Sequence, residues 1–144
     1  MADFAGVRFL LFRVADVVCA AEVRAVREIV PAQPATRIPG APESVIGLVN
    51  VRGTLITLVD GRRAIGLPAA NGHQSIVLID VGPKVVGLAV DEVVDMVSAS
   101  AEAFAERAQL PGIESRYVRA VGRHDEVPFV VLDTDALFSP VVPF

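Results

Sequence analysis

Few side chains in this 144-residue sequence are of types that do covalent or acid–base chemistry, and their spacing limits them further. Cys19 is the only cysteine. Its neighbours Val17, Val18 and Ala20 make it a buried, inert thiol rather than a nucleophile. A single cysteine also forbids an intramolecular disulfide, which fits a reducing compartment. The two histidines, His73 and His124, fall in polar, turn-like segments and are expected in solvent. Neither stands beside Cys19 or a serine in a nucleophile motif. Asp91, Glu92 and Asp95 form a carboxylate cluster. On a helix Asp91 and Asp95 would share a face and repel by a few tenths of a kcal/mol. Acid–base work would need them in a cleft with split pKa values, so a solvated, acidic start of a helix is the expectation. The sequence has no phosphate loop, dinucleotide fingerprint or His/Cys metal spacing. No catalytic residue, metal or cofactor is therefore assigned, and a small acid–base enzyme using the three carboxylates is the rival reading.

Recognition chemistry has a better candidate. The run from Gly47 to Asp60 is rich in Leu and β-branched residues and carries one cation, Arg52, followed by Gly53. Thr54 to Val59 is apolar on both alternating faces, as in a strand buried on two sides. A guanidinium at the mouth of such a strand is either paired or presented to a partner. Arg52 thus has two candidate roles: a salt bridge to Glu28 or Asp60 that closes the local fold, or a binding hot spot of the kind in which Arg is enriched. Glu28 is read as facing outward, as a surface ion pair or a rim contact.

These residues need positioning, and the chain is strand-rich with turn signals at short intervals. Val7 to Val14 reads as a strand, Ala15-Asp16 as a tight turn and Val17 to Ala21 as the hairpin partner. Val23, Val26 and Val30 at i, i+3, i+7 predict a short helix over 22–30, with Val26, Ile29 and Val30 packing inward, ended by Pro31. Four prolines between Pro31 and Pro42 impose an extended or turning path. Pro42-Glu43-Ser44 opens another short helix before Gly47, and Arg62 to Leu67 a third. Ala69 to His73 is a polar loop. Ser75 to Val81 and Lys84 to Val90 form a hairpin about Gly82-Pro83. Ala99 to Ala108 is weakly helical or loop-like. Val118 to Gly122 and Val127 to Asp133 are the last strands, and Thr134 to Phe138 is a closing helical turn. Asp60 and Asp133 end corresponding strands and cap the short segments after them.

An internal repeat organises this order. Residues 9–30 lie without gaps over 76–97, matching Val14 with Val81, Val23 with Val90, Val26 with Val93 and Glu28 with Asp95. Val45 to Val49 echoes Tyr117 to Val121, and Thr54 to Asp60 echoes Val127 to Asp133 after one inserted residue. Two short-stranded lobes result, and small barrels remove exposed edges by closing.

Totals exclude several classes. The composition is 53% hydrophobic and 21% charged, yet charges break every apolar run short of the roughly 20 residues a membrane span needs. The N-terminus, with Asp3 and Arg8, lacks the layout of a signal peptide. A net charge of −4, scattered basic residues, no Trp and one Tyr argue against nucleic-acid binding.

Taken in order, these segments resemble the CheW-domain family, the adaptors of bacterial chemotaxis. The resemblance covers nearly the whole chain and rests on the opening hairpin, on Val23 to Ile29, on Thr36 to Pro42 and on Val86 to Met96. It is most specific over Ile46 to Asp60, and Val130 to Asp133 adds to it. It implies a mainly β fold of two SH3-like five-stranded β-barrel lobes with short helices, intertwined within a single domain over 1–144. It implies no enzymatic activity and no cofactor. It also implies a cytoplasmic protein that couples the cytoplasmic hairpin of chemoreceptors to the regulatory domain of the histidine kinase CheA, reaching the membrane only through receptor arrays. The matching residues place Arg52, with Val26, Glu28, Asn50 and Gly53, on a receptor-binding groove between the lobes. A scaffold of the same family serving gliding motility or development is the alternative. The family's leucine after the valine-aspartate of the central strand is replaced here by Gly61, followed by Arg62.

Overall fold

The computed structural model describes residues 6–69, 72–98, 104–105 and 113–141. In chain order these form β1 (Arg8–Val14), β2 (Val17–Glu22), a 3₁₀ turn (Val23–Ala25), β3 (Val26–Pro31), β4 (Val45–Val51), β5 (Thr54–Asp60) and α1 (Gly61–Ala64). The second half holds β6 (Ser75–Val81), β7 (Lys84–Val90), β8 (Glu92–Ser98), β9 (Phe104–Ala105), a 3₁₀ turn (Ser115–Tyr117), β10 (Val118–His124), β11 (Val127–Leu132) and α2 (Thr134–Phe138). The fold is mainly β, as the sequence predicts. One sheet runs β8-β1-β2-β11-β10-β9 and the other β3-β6-β7-β5-β4. The two-residue β9 apart, each lobe has five strands.

The two sheets are the same arrangement built twice, with their third strands exchanged. β8, from the second half, pairs with β1, whereas β3, from the first half, pairs with β6. The registers agree rung for rung. Phe9 faces Val97 as Ile76 faces Val30, and Leu11 faces Asp95 as Leu78 faces Glu28. Both pairs carry a bulge at the same step, between Leu11 and Phe12 in one and between Val26 and Glu28 in the other. The later hairpins also match. Val45 faces Val59 as Val118 faces Leu132, and Gly47 faces Leu58 as Ala120 faces Val131. Val45 therefore corresponds to Val118, not to Tyr117, and the inserted residue expected between the strands does not exist. Asp60 and Asp133 cap α1 and α2, accepting hydrogen bonds from Arg62 N (2.9 Å) and Ala136 N (3.1 Å).

The high apolar content is explained by burial on both faces of the hairpin strands. Along β1, Leu10, Phe12 and Val14 enter a core shared by the two sheets, while Phe9 and Leu11 enter a core of their own lobe. β6 does the same, sending Val77, Ile79 and Val81 to the shared core and Ile76 and Leu78 to the other lobe's core. Cys19 and Phe138 lie in the shared core. Gly61 opens α1 against β7 of its own sheet and beside β1 of the other lobe. A Cβ there would lie 2.5 Å from the Ala89 carbonyl oxygen and 3.3 Å from a Val14 methyl, so the family's leucine has no room.

Several local expectations are corrected. Residues 26–31 form strand β3, not a helix, and Ile29 is exposed rather than packed inward. Asp91 to Val97 is likewise no helix: β8 begins at Glu92, so Asp91 and Asp95 share no helical face. Pro42 to Ser44 makes a turn, closed by Val45 N donating to the Pro42 carbonyl (2.9 Å), and leads into β4. Within Thr54–Val59, Ile56 to Val59 is buried, but Leu55 is 64% exposed. His73 is half-buried, with its Nε2 out of water and without a hydrogen-bond partner. Of the stretch 99–108, Phe104–Ala105 is strand β9 and the rest lies outside the described residues.

Candidate recognition site

Arg52 and Gly53 are the two central residues of the β4–β5 hairpin, with φ of +50° and +87°. Two successive left-handed residues match the right-handed twist of the flanking strands, and Asn-Gly is the usual occupant because neither residue is penalised there. Arginine in the first position is uncommon and strained. Asn50 helps to hold the turn, its Oδ1 accepting the Gly53 N–H at 2.8 Å. The Arg52 side chain, 70% exposed, turns across the sheet and pairs with the Glu28 carboxylate. That hydrogen bond, and then the charge behind it, raises the guanidinium's pKa above its ordinary value.

Glu28 reaches Arg52 because of the bulge at Arg27. It puts Val26 opposite Ile79, on the side of the shared core, and Glu28 opposite Leu78, on the side of the lobe's own core. Re-aiming side chains is what bulges do. Glu28 is thus on the inner face of its strand, at the rim, rather than facing outward as expected. β3 and β4 are the two outer strands of their sheet, so the ion pair also shows that the sheet curls until its edges approach. Of the alternatives read from the sequence, the partner is Glu28, not Asp60, which caps α1.

The five candidate residues do not form one contiguous set of contacts. Arg52 with Glu28 and Gly53 with Asn50 form two hydrogen-bonded pairs that meet at the Arg52–Gly53 turn, whereas Val26 packs against the shared core from across the bulge. Sequence reasoning missed Leu55, which pairs across the hairpin with Asn50 one rung from the turn and stands in solvent. In the sequence it is one more apolar residue in a buried run, and nothing there marks it as exposed.

The carboxylates read as possible acid–base groups separate. Asp91 lies where β7 crosses to β8 and is held by Ala15 N (2.6 Å) and by Arg62 (3.1 Å), while Glu92 pairs with Arg13 at 3.1 Å. Asp95 lies 3.7 Å from His124 Nε2 on an open surface, at the position matching Glu28. Among the described residues no group of three His, Cys, Asp or Glu side chains converges as a metal site would require. Burial in the core pushes the Cys19 thiol up to about 12.

Fold and site together define a two-lobed β protein with a strained, charged turn between two strands of one sheet. The CheW-like domain model matches residues 8–141, so the chain belongs to the CheW-like family, whose members are non-catalytic adaptors. It is similar to a probable chemotaxis protein CheW of Rhizobium etli, 29% identical over 133 residues, covering 90% of this chain and 86% of that one. A chemotaxis protein CheW of Rhizobium meliloti is 35% identical over 120 residues, covering 82% and 76%. In fold it resembles the scaffolding protein TtCheW of Thermoanaerobacter tengcongensis, with a TM-score of 0.83 and 21% identity over 92% of each chain.

Proposed function

We propose that this chain is a chemotaxis adaptor that couples the cytoplasmic hairpin of a chemoreceptor to the regulatory domain of the histidine kinase CheA. Arg52 and the residues around it form the receptor contact. The observation that carries this reading is the placement of an exposed arginine in a left-handed turn position that glycine or asparagine fills at less cost. Strain of that kind accumulates where a side chain has a function to perform. Leu55 and Asn50 beside it supply an apolar and a polar contact on the same hairpin, and the chemotaxis names of the relatives supply the pathway. Coupling of this type needs a change in relative affinity or geometry among the partners and no chemistry in the adaptor. No helix among the described residues is long and apolar enough to cross a membrane, and the adaptor reaches receptor arrays by binding.

Arg52→Glu tests the contact. The variant is expected to fold and to lose receptor association by at least about tenfold, as truncation of an arginine hot spot does. A folded variant with unchanged receptor pull-down refutes it. Reconstitution with receptor and CheA, with phosphotransfer as the readout, tests the pathway. Stimulation is the expected result, and binding to a different kinase without it would assign the chain to another pathway such as gliding motility.

A further inference from the structure

The chain crosses between the sheets at two equivalent places, from β2 to β3 through Val23–Ala25 and from β7 to β8 through Asp91. The two crossings are held differently. Asp91, its side chain only 18% exposed, accepts the Ala15 N–H of the β1–β2 turn at 2.6 Å and pairs with Arg62 of α1 at 3.1 Å. Its own N–H donates to the Arg13 carbonyl at 2.9 Å. Arg13 in turn donates to the Ala15 carbonyl at 2.8 Å and pairs with Glu92 at 3.1 Å. One carboxylate therefore joins a turn of one lobe, a helix of the other and the crossing between them.

Ala15 shows what this clasp withstands. It has φ of +55°, a left-handed conformation that costs an alanine and that Gly82 adopts freely at the matching turn (φ +59°). Both its N–H and its carbonyl are held by side chains of the clasp, which is how a strained residue is kept in place. At the other crossing the position matching Asp91 is Arg24. Its side chain is 81% exposed and, among the described residues, bonds only to Glu22, two residues back on its own hairpin.

We infer that the Asp91 clasp makes this near-symmetric fold dynamically asymmetric: the β7–β8 crossing is locked, and the β2–β3 crossing opens more readily. β3, which bears Val26 and Glu28, starts at the unlocked crossing, so it is the strand able to adjust while β8 stays fixed. Local opening of this kind is read by amide exchange. In the full chain, the Val93 amide is expected to be protected at least about tenfold more than the matching Val26 amide, after correction for intrinsic rates. Asp91→Ala is expected to abolish that excess and leave Val26 within about twofold of its original value. Asp91→Asn retains an acceptor for Ala15 and gives an intermediate result. Should Asp91→Ala fail to fold, Arg62→Gln removes only the link between the lobes and is expected to lower Val93 protection selectively. Equal protection of Val93 and Val26 in the unmodified chain overturns the inference, as does an excess at Val93 that survives loss of the clasp. Neither outcome depends on receptor binding.

Discussion

At the residue scale, Arg52 both pairs with Glu28 and stands largely in solvent, so the ion pair and a partner contact must be separated experimentally. Exchanging the pair, Glu28→Arg with Arg52→Glu, preserves the attraction between β3 and the β4–β5 turn but moves the cation. If Arg52 contacts a receptor, the exchanged variant is as stable as the parent by thermal denaturation and still fails to bind. Restored binding would mean that closing the lobe is the whole role. Cys19 offers a cleaner test. Its thiol, fully buried in the shared core, titrates at about 12 in the fold, against 9.0 as the ordinary value. Above pH 9 the unfolded chain loses this proton while the folded chain keeps it. Stability is therefore intact below about pH 9 and falls as pH rises toward 12, by up to about 1.4 kcal/mol per pH unit. Denaturant titrations at pH 8 and pH 10 should show the fall, and Cys19→Ala should lack this contribution. The same burial leaves the native thiol unreactive toward a disulfide reagent at neutral pH.

At the scale of elements, Gly61 is wedged between β7 of its own sheet and Val14 of the other lobe, and its substitution has a definite sign. Gly61→Ala drives a methyl into the Ala89 carbonyl and toward Val14, and neither is the free end of a flexible side chain. A loss of about 1–3 kcal/mol is expected in equilibrium unfolding. A neutral result would show that α1 can shift away from β7. The elements also show what a sequence reveals. The β1–β2 and β6–β7 hairpins were legible because two-residue turns separate apolar runs, and the two capping aspartates were legible from their place after corresponding strands. β3 was not. Its inward position 28 is a charged residue and its alternation breaks at the Arg27 bulge, so Val23, Val26 and Val30 imitate a helical stripe. β8 hides for the same reason, with Asp95 at the matching inward position. At the candidate site, Arg52 could be read from charge beside an apolar run, but Glu28 and Asp60 were equally open as its partner until the sheet's path brought Glu28 to it. The exposure of Leu55 could not be read, because it depends on where the sheet ends rather than on the residue.

At the scale of the molecule, the exchanged strands determine how the chain must come apart. Neither sheet is made from one half of the sequence: the first-half hairpin needs β8 as its neighbour and the second-half hairpin needs β3. The shared core draws on both sheets, including Phe12 and Cys19 from one and Ile79 and Leu88 from the other. An interface that large and apolar leaves little room for either lobe to persist alone. Loss of packing in one lobe should therefore be felt in the other. Leu58 lies in the core of the β3–β7 lobe, whereas Tyr117, the only tyrosine, precedes β10 in the opposite lobe and packs against the shared core. Leu58→Ala is expected to cost about 2–5 kcal/mol, as buried leucine truncations do. It should move the Tyr117 fluorescence transition by the same amount as the far-ultraviolet dichroism transition, because a single cooperative unit has one midpoint for every probe. A Tyr117 transition left unmoved while the dichroism shifts would show that the lobes unfold separately and that the exchanged strands do not couple them.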